Sequence, residues 1–319
     1  MAKTKLVIKL GSSNTVIYKK NYGVVLREPS LVAVKCGTKQ VVEVGIKAKK
    51  MQGKTDESIS FIEPIFNGEV VNYDICVAML KAFLSKVLEK KLFNKVEAVF
   101  AVPVGLTDNQ LMLIKNVAYS CGIDKVRFEN VCFLALIGAN VAVEKAEGVA
   151  VVSLGGGTIN FAVCSLNKTI EGFSLTFGGK DIDAEIVNFI RQTKNLEISL
   201  QTAEKIKNEC GSLYLLDTTN IEISGVDLET KRPVIDIISS SEIREVILPF
   251  FEKIELGIEK MLYSCSADII NDITKNGIYF VGGLSKITGL ENFFAKKLNM
   301  PIVVLDDAEN VAVLGGSNL

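Results

Sequence analysis

The chain has 319 residues, 48% of them hydrophobic, with 36 basic side chains against 37 acidic ones. That length suits two domains or one large α/β unit, and the near-neutral charge gives no electrostatic reason to expect nucleic acid as a partner. There is no histidine, which excludes Ser–His and Cys–His catalysis and His-ligated zinc, so any chemistry must use carboxylates, lysines, hydroxyls or a bound metal.

The start, MAKTKLVIKL, passes directly into an alternating strand pattern, so no secretory leader is expected. No apolar run approaches the roughly 20 residues that span a bilayer, and the expected location is the cytoplasm. Seven scattered cysteines, none spaced as CxxC, fit free thiols in a reducing compartment.

In chain order, Leu6–Tyr18 is an apolar strand, a tight turn of Gly11, Ser12, Ser13 and Asn14, and a second strand. The spacing of Val77, Leu80, Leu84, Val87 and Leu88 predicts an amphipathic helix over 74–90. A buried strand over 97–102 ends at Pro103. Helices are expected over 107–121, closed by Gly122, and over 130–145. Residues 150–163 then repeat the opening hairpin 144 positions later, with Ser153 in the place of Lys9 and Gly155, Gly156, Gly157 and Thr158 in the turn. A repeat at about half the chain length implies two related halves. Thr202 reads as the N-cap of a helix stopped by Gly211, and Ser239 with Glu242 as a capping box opening a helix over 241–264. A strand over 277–281, a Gly282-Gly283 turn and a helix over 289–298 complete the pattern. The fold class is mixed α/β in two lobes with a cleft between them.

Small residues in a tight turn let backbone N–H groups approach an anion. One such hairpin is a weak signal. Two in corresponding places, with a third Gly-Gly after a strand, predict a phosphate chain held between facing turns. Glu204 and Lys207 lie three residues apart on one helix face, either in a nucleoside pocket or as an ordinary solvated ion pair.

These segments resemble MreB-type bacterial actins, in order and at family spacing, from Lys5 to about Gly316. VIKLGSSNTVIY resembles the first phosphate loop and VVSLGGGTINFAVCSL the second. GVVLREPSLVAV resembles the strand pair after the first loop, TAEKIKNECG the nucleoside-contacting helix, and GIYFVGGLSKITGL the third loop. FAVPVGLTDNQ is similar to another stretch typical of the family. The resemblance implies an actin-like fold: a first lobe over 1–147 with a subdomain inserted at about 32–66, and a second over 148–319 with one at about 179–240. The last residues would return to the first lobe. It implies ATP, or ADP or GTP, as ligand. Phosphate contacts would come from Ser12, Ser13, Asn14, Gly156, Gly157 and Thr158, and nucleoside contacts from Glu204, Lys207 and the Gly282, Gly283, Leu284, Ser285 turn. Leu284 stands where the family has a third glycine.

The chain departs from the family pattern at the chemistry. Both phosphate loops in the family begin with an aspartate that holds Mg²⁺ through its waters; here those positions are Lys9 and Ser153. A divalent cation should bind weakly or not at all, with the Lys9 ammonium set against the phosphates or, alternatively, turned to solvent. Where the family carries a water-orienting glutamate, this chain has Asn130 and Val131, with Glu129 one residue off as a possible substitute. No intact catalytic set is expected, so hydrolysis should be weak or lost. A sugar or acetate kinase would need those carboxylates, and a chaperone would need a further domain after Gly316.

The resemblance also implies self-association into filaments serving cell shape or motility, with co-polymerisation beside active paralogues. Leu92-Phe93, flanked by lysines, is a candidate inner-membrane contact or, more plainly, a pair tucked into the core. A non-polymerising nucleotide-sensing adaptor and an active ATPase filament are the alternatives.

Overall fold

A computed structural model of the chain describes residues 3–88 and 95–318, so Leu92 and Phe93 lie outside the described residues. Two five-stranded sheets organise it. The first runs Lys125–Asn130, Lys95–Val102, Lys3–Leu10, Asn14–Lys19, Gly23–Pro29. The second runs Lys168–Leu175, Ile159–Ser165, Val149–Leu154, Ile278–Val281, Ile302–Val304. Read from opposite edges they are the same sheet: three antiparallel strands, then two parallel ones. The repeat seen in sequence is therefore a repeat of topology.

Val149–Leu154 and Ile159–Ser165 are buried at every position, as their near-continuous apolar sequence requires when both sheet faces are covered. One core packs the second sheet against the helices Gly179–Lys194 and Ser240–Tyr263, with Phe161, Ile186 and Ile254 fully buried. The first sheet has its own core around Ile8, Phe83 and Phe100. A third cluster joins the lobes, bringing Ala101 together with Leu134, Val151 and Val311. There the helices Val131–Gly138 and Val311–Gly315 lie backbone to backbone, because a Cβ on Gly138 would collide with the Val311 carbonyl and one on Gly315 with the Leu134 carbonyl.

Smaller sheets flank the main ones. Val32–Lys35 pairs with Val41–Val44 and Ile59–Ile62 beside the helix Ile46–Met51. Leu196–Glu197, Asn220–Asp227 and Pro233–Ser239 form another. All seven cysteines are free.

Two expected elements need correction. The helix expected over 130–145 spans Val131–Gly138, and Asn140, with φ of 55°, stands in the left-handed region beyond its end. The helix expected to start at Thr202 is Leu200–Cys210, capped by Ser199, whose hydroxyl accepts from the Thr202 N–H at 3.1 Å. The Ser239–Glu242 capping box is present as read, with the Ser239 N–H donating to the Glu242 carboxylate at 2.8 Å.

Candidate functional site: a cleft between two matched hairpins

The two glycine-rich turns close identically. The Gly11 N–H donates to the Asn14 carbonyl at 3.2 Å, and the Gly155 N–H to the Thr158 carbonyl at 2.9 Å. They also face one another: a Cβ on Gly157 would sit 2.6 Å from the Ser12 Oγ, and one on Gly156 would overlap Ser13. Only glycine lets the second turn come this close to the first. Ser30 braces the first turn, donating to the Gly11 carbonyl at 2.6 Å and, through its N–H, to the Ser13 carbonyl at 3.0 Å. The start of the Gly179–Lys194 helix braces the second, with Gly179 N–H on the Gly155 carbonyl at 3.0 Å and Lys180 N–H on the Gly156 carbonyl at 2.8 Å.

Between the turns lies a cavity of about 720 Å³, a size suited to a nucleotide-like ligand. Lys9, Gly11, Ser12, Ser13, Asn14, Ser153, Gly155, Gly156, Gly157 and Thr158 all line it. So do Glu204, Lys207, Gly283 and Leu284. Gly282 and Ser285 do not. They build the third turn, where Gly282, at φ 94°, leaves no room for a Cβ against Leu154 and Ser285 Oγ donates to the Gly282 carbonyl at 2.7 Å. Leu284, at 6% exposure, belongs to the core of the second sheet as well as to the cavity lining.

Glu204 and Lys207 do not pair with each other. Lys207 Nζ lies 2.7 Å from Asp183 and donates to the Gly179 carbonyl at 2.8 Å. Burial pushes the Asp183 carboxyl above its ordinary pKa, with the Lys207 ammonium opposing the shift. Glu204 instead reaches across the cleft mouth to Lys49 at 2.6 Å. Lys180 pairs with Glu63 at 2.6 Å and Lys286 with Glu309 at 2.7 Å. Among the described residues, Lys9 is the one cleft-lining lysine with neither a hydrogen bond nor an ion pair. Lys9 is half-buried at the cleft wall, and lost hydration lowers its pKa from the ordinary lysine value; Cys132 opposes this shift and Arg27 adds to it. Arg27 shares its row of the sheet, across Val16, and is paired with Glu309.

Val131 lines the cavity with an apolar side chain, 4% exposed. Asn130 does not line it. Its Oδ1 caps the following helix, accepting from Cys132 N–H at 2.7 Å, and its amide donates to Thr169 at 3.0 Å. Glu129 is also outside the cavity lining, and its carboxylate accepts from the Asn130 N–H at 3.0 Å.

Ser30, Lys49, Lys180 and Asp183 also line the cavity, beyond the residues expected from sequence. For the last two a signal existed: Gly178-Gly179 followed by Asp181, Ile182, Ile186 and Ile190 marks a helix start and its buried stripe.

A family model described as MreB/Mbl protein matches residues 3–319. The chain belongs to the MreB/Mbl family. It is 33% identical to the cell shape-determining protein MreB of Escherichia coli, over 99% of this chain and 93% of that protein. With the cell shape-determining protein Mbl of Bacillus subtilis it shares 31% identity over 97% and 93%. Among solved structures it is similar to MreB5 of Spiroplasma citri bound to AMPPNP, with a TM-score of 0.94 and 28% identity, covering 100% of this chain and 96% of that one. The ADP-bound form of the same protein gives 0.93. A MamK double helical filament, 18% identical with a TM-score of 0.85, shares the fold. The actin-like architecture of the family is thus the architecture of this chain.

Proposed function

We propose that this chain is a nucleotide-binding, filament-forming subunit of the cell-shape cytoskeleton that binds its nucleotide with little or no help from a divalent cation and hydrolyses it weakly or not at all. The observation that carries this reading is the unpartnered Lys9 ammonium in the floor of a cleft whose phosphate turns are complete. A partly desolvated cation with no counter-charge is unfavourable on its own and favourable once a phosphate supplies one. Solved MreB5 with AMPPNP and with ADP supports the ligand class.

The residues at the family's metal positions do not fit Mg²⁺, which seeks carboxylate and water oxygens. Lys9 brings a positive charge, and Ser153 a neutral hydroxyl at 2% exposure. Hydrolysis needs a group that positions water, and Val131 offers none. Glu129, committed to the Asn130 N–H, is a poor substitute. That geometry speaks against the active-ATPase alternative.

Filament formation rests on the family. No helix among the described residues is long and apolar enough to cross a membrane; a cytoplasmic location, contact through Leu92-Phe93 with the membrane's inner face, and co-polymerisation with active relatives are parts of the same proposal. Pelleting of the purified chain over a concentration series, with no nucleotide, ATP or AMPPNP, tests it. Equal pelleting in ATP and AMPPNP above a critical concentration is expected. Failure to pellet under every condition would sink the autonomous filament and favour a nucleotide-sensing adaptor.

A further inference from the structure

Lys180 is fixed at three points. Its backbone N–H is bonded to the Gly156 carbonyl of the second turn at 2.8 Å. Its ammonium crosses the cleft to the Ser12 carbonyl of the first turn at 2.6 Å, and to the Glu63 carboxylate at 2.6 Å. The side chain is about a quarter exposed and lines the cavity. An ammonium has three N–H donors; one is bonded to the Ser12 carbonyl and the Glu63 carboxylate is paired with the group, which leaves donor capacity for a further acceptor.

On the nucleotide-binding reading above, the nucleoside end of the cleft is the Glu204–Lys207 end. Lys207 Nζ lies on the Gly179 carbonyl, one residue before Lys180. A phosphate chain running from there toward the first turn would pass Lys180, whose ammonium already reaches the Ser12 carbonyl. We propose that Lys180 is the residue by which this cleft distinguishes a nucleoside triphosphate from a diphosphate, its ammonium binding the terminal phosphate in competition with Glu63. The inference rests on the nucleotide-binding reading above and goes beyond it by assigning the discrimination to one side chain. Glu63 is the only carboxylate among the described residues paired with that ammonium, so removing its charge should release Lys180 to the ligand.

The test is the ratio of ATP to ADP affinity, measured by calorimetry on the full-length chain in chelator. The wild type should prefer ATP. A charge-assisted hydrogen bond is among the stronger ones, so Lys180→Met should reduce the preference by about tenfold or more with ADP affinity held within a few-fold. Lys180→Arg should retain part of it, and Glu63→Gln should increase it. An unchanged ratio in Lys180→Met would overturn the proposal, as would a reduced ratio in Glu63→Gln. So would equal loss of ATP and ADP in a folded Lys180→Met, since Lys180 would then support the cleft as a whole. A wild type that binds both nucleotides without preference defeats this inference alone; one that binds neither defeats the nucleotide reading with it.

Discussion

Lys9 and Ser153 stand 144 residues apart in sequence and at the same position in two copies of one hairpin. Lys9 is opposite Val16 and Ser153 opposite Asn160, each immediately before the leucine that enters the turn. Ser153 lies beside a satisfied polar row, in which Asn160 accepts from Ser174 at 2.8 Å. Lys9 has no such partner. The two halves have thus kept one backbone and diverged in the charge of its floor.

This asymmetry predicts opposed effects of Lys9→Met on stability and binding. The folded-state pKa of Lys9 is lowered, so the unfolded chain binds more protons between that value and the ordinary lysine pKa. Wild-type stability without ligand should therefore rise with pH through that window. Lys9→Met should flatten this rise and raise the ligand-free melting temperature at neutral pH, while weakening ATP binding. Thermal scans against pH, with and without ATP, measure both.

Lys207→Met should be strongly destabilising. It leaves Asp183 buried without its cation, and breaking a buried pair costs about 3–5 kcal/mol. Denaturant unfolding should show a loss of that order. Converting both partners to a neutral pair, Asp183→Asn with Lys207→Met, should recover a good part of it.

Gly157→Ala should reduce nucleotide affinity with only a modest effect on fold. The added Cβ would meet Ser12 Oγ at 2.6 Å and Ser12 Cβ at 2.8 Å, forcing the two turns apart. Affinity for ATP should fall by about tenfold, corresponding to roughly 1.4 kcal/mol. Ser12→Gly in the same chain should restore part of it by removing the colliding side chain.

Lys49→Ala should leave unfolding stability nearly unchanged. The Lys49–Glu204 pair is about 40% exposed on both sides, and such pairs contribute roughly 0.2–1 kcal/mol. A larger loss in denaturant unfolding would show that this bridge holds the lobes together.

Much of this was legible in sequence because local chemistry determines it. The Gly-rich turns, the Ser239 capping box and the paired hairpins are short-range features, and residues within a few positions specify each. What escaped reading depends on partners far along the chain. Glu204 and Lys207 looked like one another's partners, but the fold gives Lys49 to the first and Asp183 to the second. Ser30, buried at 1%, matters only because the strand ending at Pro29 delivers it to the Gly11 carbonyl. The start of the 200–210 helix was misplaced because Ser199 and Thr202 are both good caps, and three residues of spacing let either serve. The overlong helix after Asn130 has a similar cause: apolar spacing continued past Gly138, and the left-handed Asn140 ended it.

We propose that the Lys9 ammonium supplies charge neutralisation to the bound phosphates in place of a metal ion. Calorimetric titration of ATP into the wild type and Lys9→Met, each with Mg²⁺ and with excess chelator, tests it most directly. The account predicts wild-type affinity that changes little on chelation and falls about tenfold or more in Lys9→Met under both conditions. Wild-type affinity that collapses in chelator, or that is untouched by removal of the Lys9 ammonium, would contradict it.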